Sequence, residues 1–325
     1  MGISWQNVEN ASIAEGLPVG IVQNGVTPDM RNSFAYALFL ICSSALIILQ
    51  AQAKPEWSQP FPPHQVMGNL YYVGSKGLAS YVVKTPEGLI LLNSNLENSP
   101  ALIEQSLAKL GMRLSDVKIL LISHAHWDHC AGSARLLALT KAKYMVMDAD
   151  LPVIESGGKA DFQYGHDKET HFPVAKVDRV LHDGSEVTLG GVTLTAHLTP
   201  GHTKGCTTWT TKIADQGKTY NVVIVGSPNV NAGYRLTYNQ QYPQIAQDYE
   251  RTFRVLKSLS CDIFLGAHGE YYGMEAKFRA IGKSGANPFV DPQGYRAYVA
   301  DREKAFLSER AKQTAAGQKT AQNKQ

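Results

Sequence analysis

The sequence predicts an α/β domain in which two mixed β/α halves form two sheets flanked by helices. Three observations predict it. Short β-rich runs bounded by Gly and Pro occupy residues 70–92. A continuous apolar run with β-branched residues at 117–122 reads as a strand buried on both faces, with helical patterns on either side. Residues 187–265 then repeat the strand-rich theme, and no linker separates the two halves.

Composition supports a sizeable core. Hydrophobic residues make up 44% of the 325 and charged ones 18%, which excludes a disordered, collagen-like or coiled-coil chain. The net charge of +3 is too small a bias for a nucleic-acid surface. Mean hydropathy of −0.20 excludes a polytopic membrane protein. Four cysteines are too few for a disulfide scaffold.

The fold is expected to begin after residue 53. Residues 34–49 form the one long apolar run, shorter than the roughly 20 residues of a membrane span. Met30-Arg31-Asn32 precedes it and Ala51-Gln52-Ala53 follows it, the basic start and A-x-A end of a secretory signal peptide. Cleavage near Ala53 and a periplasmic or secreted location, with no permanent membrane anchor, are the expectation. Residues 1–29 carry Glu9, Glu15 and Asp29 and no basic residue, and read as an upstream extension ahead of a start at Met30. The domain then covers 54–312, with a polar tail at 313–325. Beyond residue 53 the cysteines are Cys130, Cys206 and Cys261, an odd number that leaves at least one unpaired within a monomer.

Strands are predicted at 70–74, 80–84 and 89–92. Ser99 reads as a helix N-cap with Pro100 first inside, and the helix runs to about 110 before Gly111. After the strand at 117–122 come a helix at 133–140 and a strand at 144–147. Residues 155–173 are polar and glycine-punctuated, a long loop of the functional or disordered kind. Strands follow at 187–189, 192–197, 207–211 and 221–225, a helix at 245–259, a strand at 262–265 and a last helix at 293–312. The tail beyond is expected to fray.

The chemistry lies in Ser123-His124-Ala125-His126-Trp127-Asp128-His129, directly after the buried strand. Imidazole and carboxylate donors suit Zn²⁺ or iron better than Mg²⁺ or Ca²⁺, which prefer all-oxygen shells. In a loop, this spacing can point two ligands at one ion and two at a neighbour. His202, after Pro200-Gly201, and His268, after Gly266-Ala267, also follow apolar strands. Three strand ends thus deliver six ligands, enough for two metals with open positions. His64, His166, His171, His182 and His197 lack such context and are assigned no metal role.

The pattern H-x-H-x-D-H at 124–129, then Gly201-His202-Thr203, then His268, resembles the metallo-β-lactamase superfamily over about residues 70–289. The resemblance implies a four-layer αβ/βα sandwich with two Zn²⁺ at one edge between the sheets. His124, His126 and His202 would hold the first zinc, and Asp128, His129 and His268 the second. Glyoxalase-II-like and lactonase-like members carry a metal-bridging Asp where this chain reads Val225-Gly226-Ser227-Pro228-Asn229, without a carboxylate. The stretches at 201–209, 231–236 and 287–289 are similar to subclass B3. The implied activity is hydrolysis of the β-lactam amide of penicillins, cephalosporins and carbapenems by a metal-activated hydroxide. A lactonase or thioesterase of the same fold, or a non-catalytic metal-binding protein, are the alternatives.

Further expectations rest on that resemblance. Asp128 would orient the water and relay a proton. Ser227, Asn229, Asn231 and Arg235 are candidates to hold the substrate carboxylate, and Trp127, Phe162 and Tyr164 to line the pocket. B3 relatives often pair the cysteine at the Cys261 position with one in the carboxy-terminal segment. Asp291-Pro292-Gln293-Gly294-Tyr295 has none, so that bridge is expected to be absent. Cys206 reads as a buried, inert thiol. The expected partner is a small β-lactam, with no nucleic acid and a monomer favoured.

Overall fold

A computed structural model describes residues 54–322 apart from 284. The predicted leader and upstream extension lie outside the described residues. Among the described residues no helix is long and apolar enough to cross a membrane.

The chain forms β1 (His64–Met67), β2 (Leu70–Tyr72), β3 (Tyr81–Thr85), β4 (Gly88–Leu92), α1 (Ser99–Lys109), β5 (Val117–Leu121), α2 (Trp127–Cys130), α3 (Ser133–Thr140), β6 (Lys143–Met147), α4 (Leu151–Glu155) and β7 (Arg179–Leu181). These seven strands make one sheet in sequential order, antiparallel from β1 to β4 and parallel from β4 to β7. The second half forms β8 (Glu186–Leu189), β9 (Val192–Leu198), β10 (Thr207–Asp215), β11 (Lys218–Val225), α5 (Ile245–Ser258), β12 (Ile263–Gly266), α6 (Met274–Ala280) and α7 (Pro292–Gln322). Its strands make a five-stranded sheet, β12-β11-β10-β9-β8, with only β11 and β12 parallel.

The period-2 geometry of a strand explains how the layers hold together. Along β4, Ile90 and Leu92 enter the core shared with the second sheet, where Leu194, Ala196, Trp209 and Ile213 meet them. Leu89 and Leu91 point the other way, into a second core with Ile103 and Leu107 of α1 and Leu136 of α3. Both faces of the sheet are therefore covered, which is why β4 and β5 read as nearly unbroken apolar runs. On the far side of the second sheet, Tyr249 of α5 stacks on Phe306 of α7, and Phe253 meets the same ring at a tilt.

Several expectations need correction. Asn98, not Ser99, occupies the N-cap of α1 and makes no side-chain cap bond, so Pro100 is the second helical residue. Strands β1 and β7 and helices α4 and α6 were not predicted. β7 exposes two of its three residues and so lacks an apolar pattern, and β1 buries a histidine where an apolar residue is the usual signal. Asp128 and His129 sit in a helical turn, α2, rather than in a loop. The last helix continues to Gln322 instead of fraying after 312. Gln313 accounts for part of that, since it accepts from the Leu236 N–H (2.7 Å) and donates to the Tyr234 carbonyl (2.8 Å).

Candidate metal centre

The site is assembled at the carboxyl ends of β5, β9 and β12. The loop after β5 is held before its histidines begin: Asn93 Oδ1, past the end of β4, accepts from the Ser123 N–H at 2.7 Å. At the loop's far end the His129 carbonyl accepts from the N–H groups of Ser94 and Asn95, both at 3.1 Å. Asn93 and Asn95 adopt left-handed backbone conformations, which asparagine tolerates better than most residues. The loop after β9 is braced from below. Thr252 donates to the Pro200 carbonyl (2.6 Å) and Tyr234 to the His202 carbonyl (2.7 Å). His268 joins the two sheets, because it pairs with Leu78 while Ala79 N–H donates to the Ala267 carbonyl.

Gly201 is required in the second loop. Its φ is +126°, and an added Cβ would lie 2.7 Å from the Tyr249 ring. Gly201→Ala therefore combines backbone strain with a clash against a buried aromatic. The expected cost is about 1–3 kcal/mol, read as a lowered denaturation midpoint, with weaker metal binding because His202 is the next residue.

These supports bring six side chains together. Ring centroids lie 4.9 Å apart for His124 and His126, 4.6 Å for His124 and His202, and 4.8 Å for His126 and His202. Beside them, Asp128 Oδ2 is 3.2 Å from His129 Nε2 and 3.5 Å from His268 Nε2, and those two nitrogens are 3.1 Å apart. Donor atoms of His124, His126 and His202 lie within 4.8 Å of one another, as do those of His124, Asp128 and His129.

The donor chemistry fits divalent cations. The imidazole Nε2 of His124 and Nδ1 of His129 are buried without any hydrogen-bond partner, a costly arrangement unless something binds there. His202 Nδ1 donates to the Asn229 carbonyl at 2.9 Å, which leaves Nε2 as a lone pair. Asp161 Oδ2 lies 3.5 Å from His126 Nε2 and favours the tautomer whose Nδ1 is free. Burial, with its neighbouring imidazoles, holds His124 and His202 below the ordinary histidine value. Burial and His129 push His268 down to about 3. Burial would raise Asp128, but His129 and His268 outweigh it and hold the carboxyl below its usual range. Burial also pulls on His126, where Asp161 more than compensates and raises it. Neutral His124, His202 and His268 beside an ionised Asp128 are the forms that ligate metal.

The other predicted residues are spread over several environments. Trp127, Tyr164, Asn229 and Asn231 line a cavity of about 210 Å³ together with His126, Asp128, His202 and His268. Asn231 donates to the Tyr164 hydroxyl at 2.9 Å. Ser227 is buried outside the lining, 3.2 Å from the Tyr271 hydroxyl. Phe162 is in the core between Tyr234 and Tyr242 and away from the cavity. Arg235 is exposed and also away from it. The segment 155–173 is well anchored: Phe172 N–H donates to the Gly157 carbonyl, and Phe172 is buried. His197 lies 2.8 Å from Thr210 Oγ1.

Sequence reasoning missed Trp57, whose ring lies 5.5 Å from Trp127 and 5.7 Å from His268 and walls the cavity. It also missed Asp161, and Asp150 behind the histidine loops. Asp150 shares its short turn with the exposed Asp148, so nothing in the local sequence singled it out. Cys130, Cys206 and Cys261 are all free thiols.

Residues 77–215 match the family model of the metallo-beta-lactamase superfamily. The chain is also 54% identical to the native FEZ-1 metallo-beta-lactamase from Legionella gormanii, covering 98% of that protein and 79% of this one, with a TM-score of 0.78. The chain belongs to the metallo-beta-lactamase superfamily. Within it, BJP-1 of Bradyrhizobium japonicum, a subclass B3 enzyme, is 40% identical over 81% of this chain and 98% of its own, TM-score 0.75. The class B3 di-zinc metallo-beta-lactamase LRA-12 from an Alaskan soil metagenome is 32% identical over 79% of this chain and 97% of its own, TM-score 0.76. Membership accounts for the two facing sheets with outer helices and for a histidine cluster at one sheet edge.

Proposed function

We propose that this protein is a zinc-dependent β-lactamase of the B3 kind, which opens the β-lactam ring by hydrolysis. The observation that carries the reading is the pair of adjacent donor sets at the floor of one cavity, in a chain 54% identical to FEZ-1. His124, His126 and His202 would hold one Zn²⁺, and Asp128, His129 and His268 the other. Two bound zinc ions supply Lewis acidity and a nucleophilic water at neutral pH, by lowering the pKa of water from 15.7 towards about 7.

In the overall reaction the water oxygen bonds to the lactam carbonyl carbon, the C–N bond breaks, and a proton reaches the nitrogen. Asp128 is the group placed to orient the water and accept its proton, since its carboxylate lies at the cavity floor beside His129 and His268. Asn229 and Asn231 offer amides to the substrate carboxylate, and the Asn229 backbone N–H donates to Ser227 Oγ at 3.4 Å. Trp57, Trp127 and Tyr164 exclude water from the fused ring with apolar surface. The apolar run at 34–49 with its A-x-A end supports export to the periplasm or medium.

Parallel assays with a penicillin, a carbapenem, a lactone and a thioester test the substrate class. We expect turnover of the two β-lactams to exceed that of the lactone and thioester. Faster lactone or thioester turnover rejects the β-lactamase reading. No turnover of any of them by the zinc-loaded protein leaves a metal-binding protein.

A further inference from the structure

Behind the centre sits a carboxylate that the mechanism does not use. Asp150 ends the turn Asp148–Asp150 after β6 and is 1% exposed. It does not line the cavity, and among the described residues no lysine or arginine pairs with it. Its Oδ2 accepts from the Ala125 N–H at 2.8 Å and from Thr203 Oγ1 at 3.0 Å, and its Oδ1 accepts from the Gly205 N–H at 2.8 Å. Ala125 stands between His124 and His126, and Thr203 directly follows His202. One side chain thus ties together the two loops that carry His124, His126 and His202. Its three bonds land next to His124, His126 and His202; none lands on Asp128 or His129, which follow Ala125 on the same loop, and none reaches the His268 segment.

We propose that Asp150 is a positioning residue that sets the spacing of His124, His126 and His202 and hence the affinity of that one metal site. The inference rests on the metal-centre reading above. The donor pattern explains why an acid stands there. Three donors converge on it, and only a carboxylate accepts at both ends. Asparagine keeps the Ala125 and Thr203 bonds through its oxygen but turns an NH₂ towards the Gly205 N–H. Gly205 leaves no room for rearrangement, since a Cβ there would lie 2.5–2.7 Å from Asp150 atoms. Burying a charge without a cation is unfavourable, and divalent ions bound by the neighbouring donor sets would offset part of that cost.

Zinc titrations of the full chain against a chromophoric chelator test this. Comparing His268→Ala with His268→Ala/Asp150→Asn reports on the His124, His126, His202 set. Comparing His202→Ala with His202→Ala/Asp150→Asn reports on the other. Partners that orient metal ligands typically contribute about 10–100-fold in affinity. We expect a loss of about tenfold or more in the first comparison and less than about threefold in the second. Asp150→Ala should lose more than Asp150→Asn, since it keeps none of the three bonds. Equal losses in both comparisons, or none in either, overturn the proposal. Should the Asp150 variants not fold, Thr203→Val removes one bond with little change of shape and must show a smaller loss in the first comparison only. A wild-type chain that fails to bind two equivalents of zinc overturns the reading of the centre instead.

Discussion

Stripping zinc from the protein with a strong chelator should lower β-lactam turnover by more than about 10³-fold, and zinc should restore it. The expectation follows from what the cavity lacks as much as from what it holds. Without the ions, water keeps its ordinary pKa of about 15.7 and hydroxide is scarce at neutral pH. Among the described residues neither the serine nor the cysteine nearest the cavity can serve as the nucleophile in its place. Ser227 Oγ lies buried beside the Tyr271 hydroxyl, with no base against it. The Cys206 thiol is pushed up by burial, so it is not a thiolate at neutral pH, and its Sγ faces the Ser227 carbonyl at 3.5 Å. A serine-directed acylating inhibitor should therefore leave hydrolysis intact. Metal content is measured beside the rate, and turnover that survives with no bound metal rejects the mechanism. The stripped protein should also unfold at lower temperature, because ions that bind only the folded state stabilise it.

How much of this was legible in the sequence depended on the kind of signal. Strands β4, β5, β9 and β11 were legible because apolar content marks a buried strand whatever it packs against. The ends of β5, β9 and β12 were legible for the same reason, and a histidine follows each within two to four residues. The position of Asp150 was not, because its three donors come from residues 125, 203 and 205, and only folding brings them together. Trp57 was missed likewise, since its contacts with Trp127 and His268 are distant in the chain. Phe162 shows the converse. Its composition and loop context suggested a pocket wall, yet an aromatic next to Asp161 can turn inward, where Tyr234 and Tyr242 meet it edge-on. Tyr164, two residues on, is the one that meets His126, edge-on at 5.2 Å between ring centroids.

The second large effect is expected at Asp128. It stands in the first turn of α2, where Oδ2 faces His129 Nε2 at 3.2 Å and His268 Nε2 at 3.5 Å. Two tasks fall to this carboxylate, ligation and proton handling, and Asp128→Asn separates them. The substitution keeps the shape but removes the charge and basicity, and an amide oxygen binds Zn²⁺ more weakly. Occupancy of the His129–His268 side should fall, and added zinc should refill it. His268→Ala is the control, because it removes a ligand and no proton acceptor, so its turnover should recover further as zinc is raised. For Asp128→Asn a deficit of about 10²–10⁴ in kcat should remain at saturating zinc, the usual contribution of a positioned acid–base group. The measurement is kcat against zinc concentration for both variants, with bound metal counted at each point. If Asp128→Asn regains full turnover once two zinc ions are bound, Asp128 is a ligand only and the proton passes through water. If it holds two tight zinc ions and wild-type turnover without added metal, Asp128 does not belong to the second donor set.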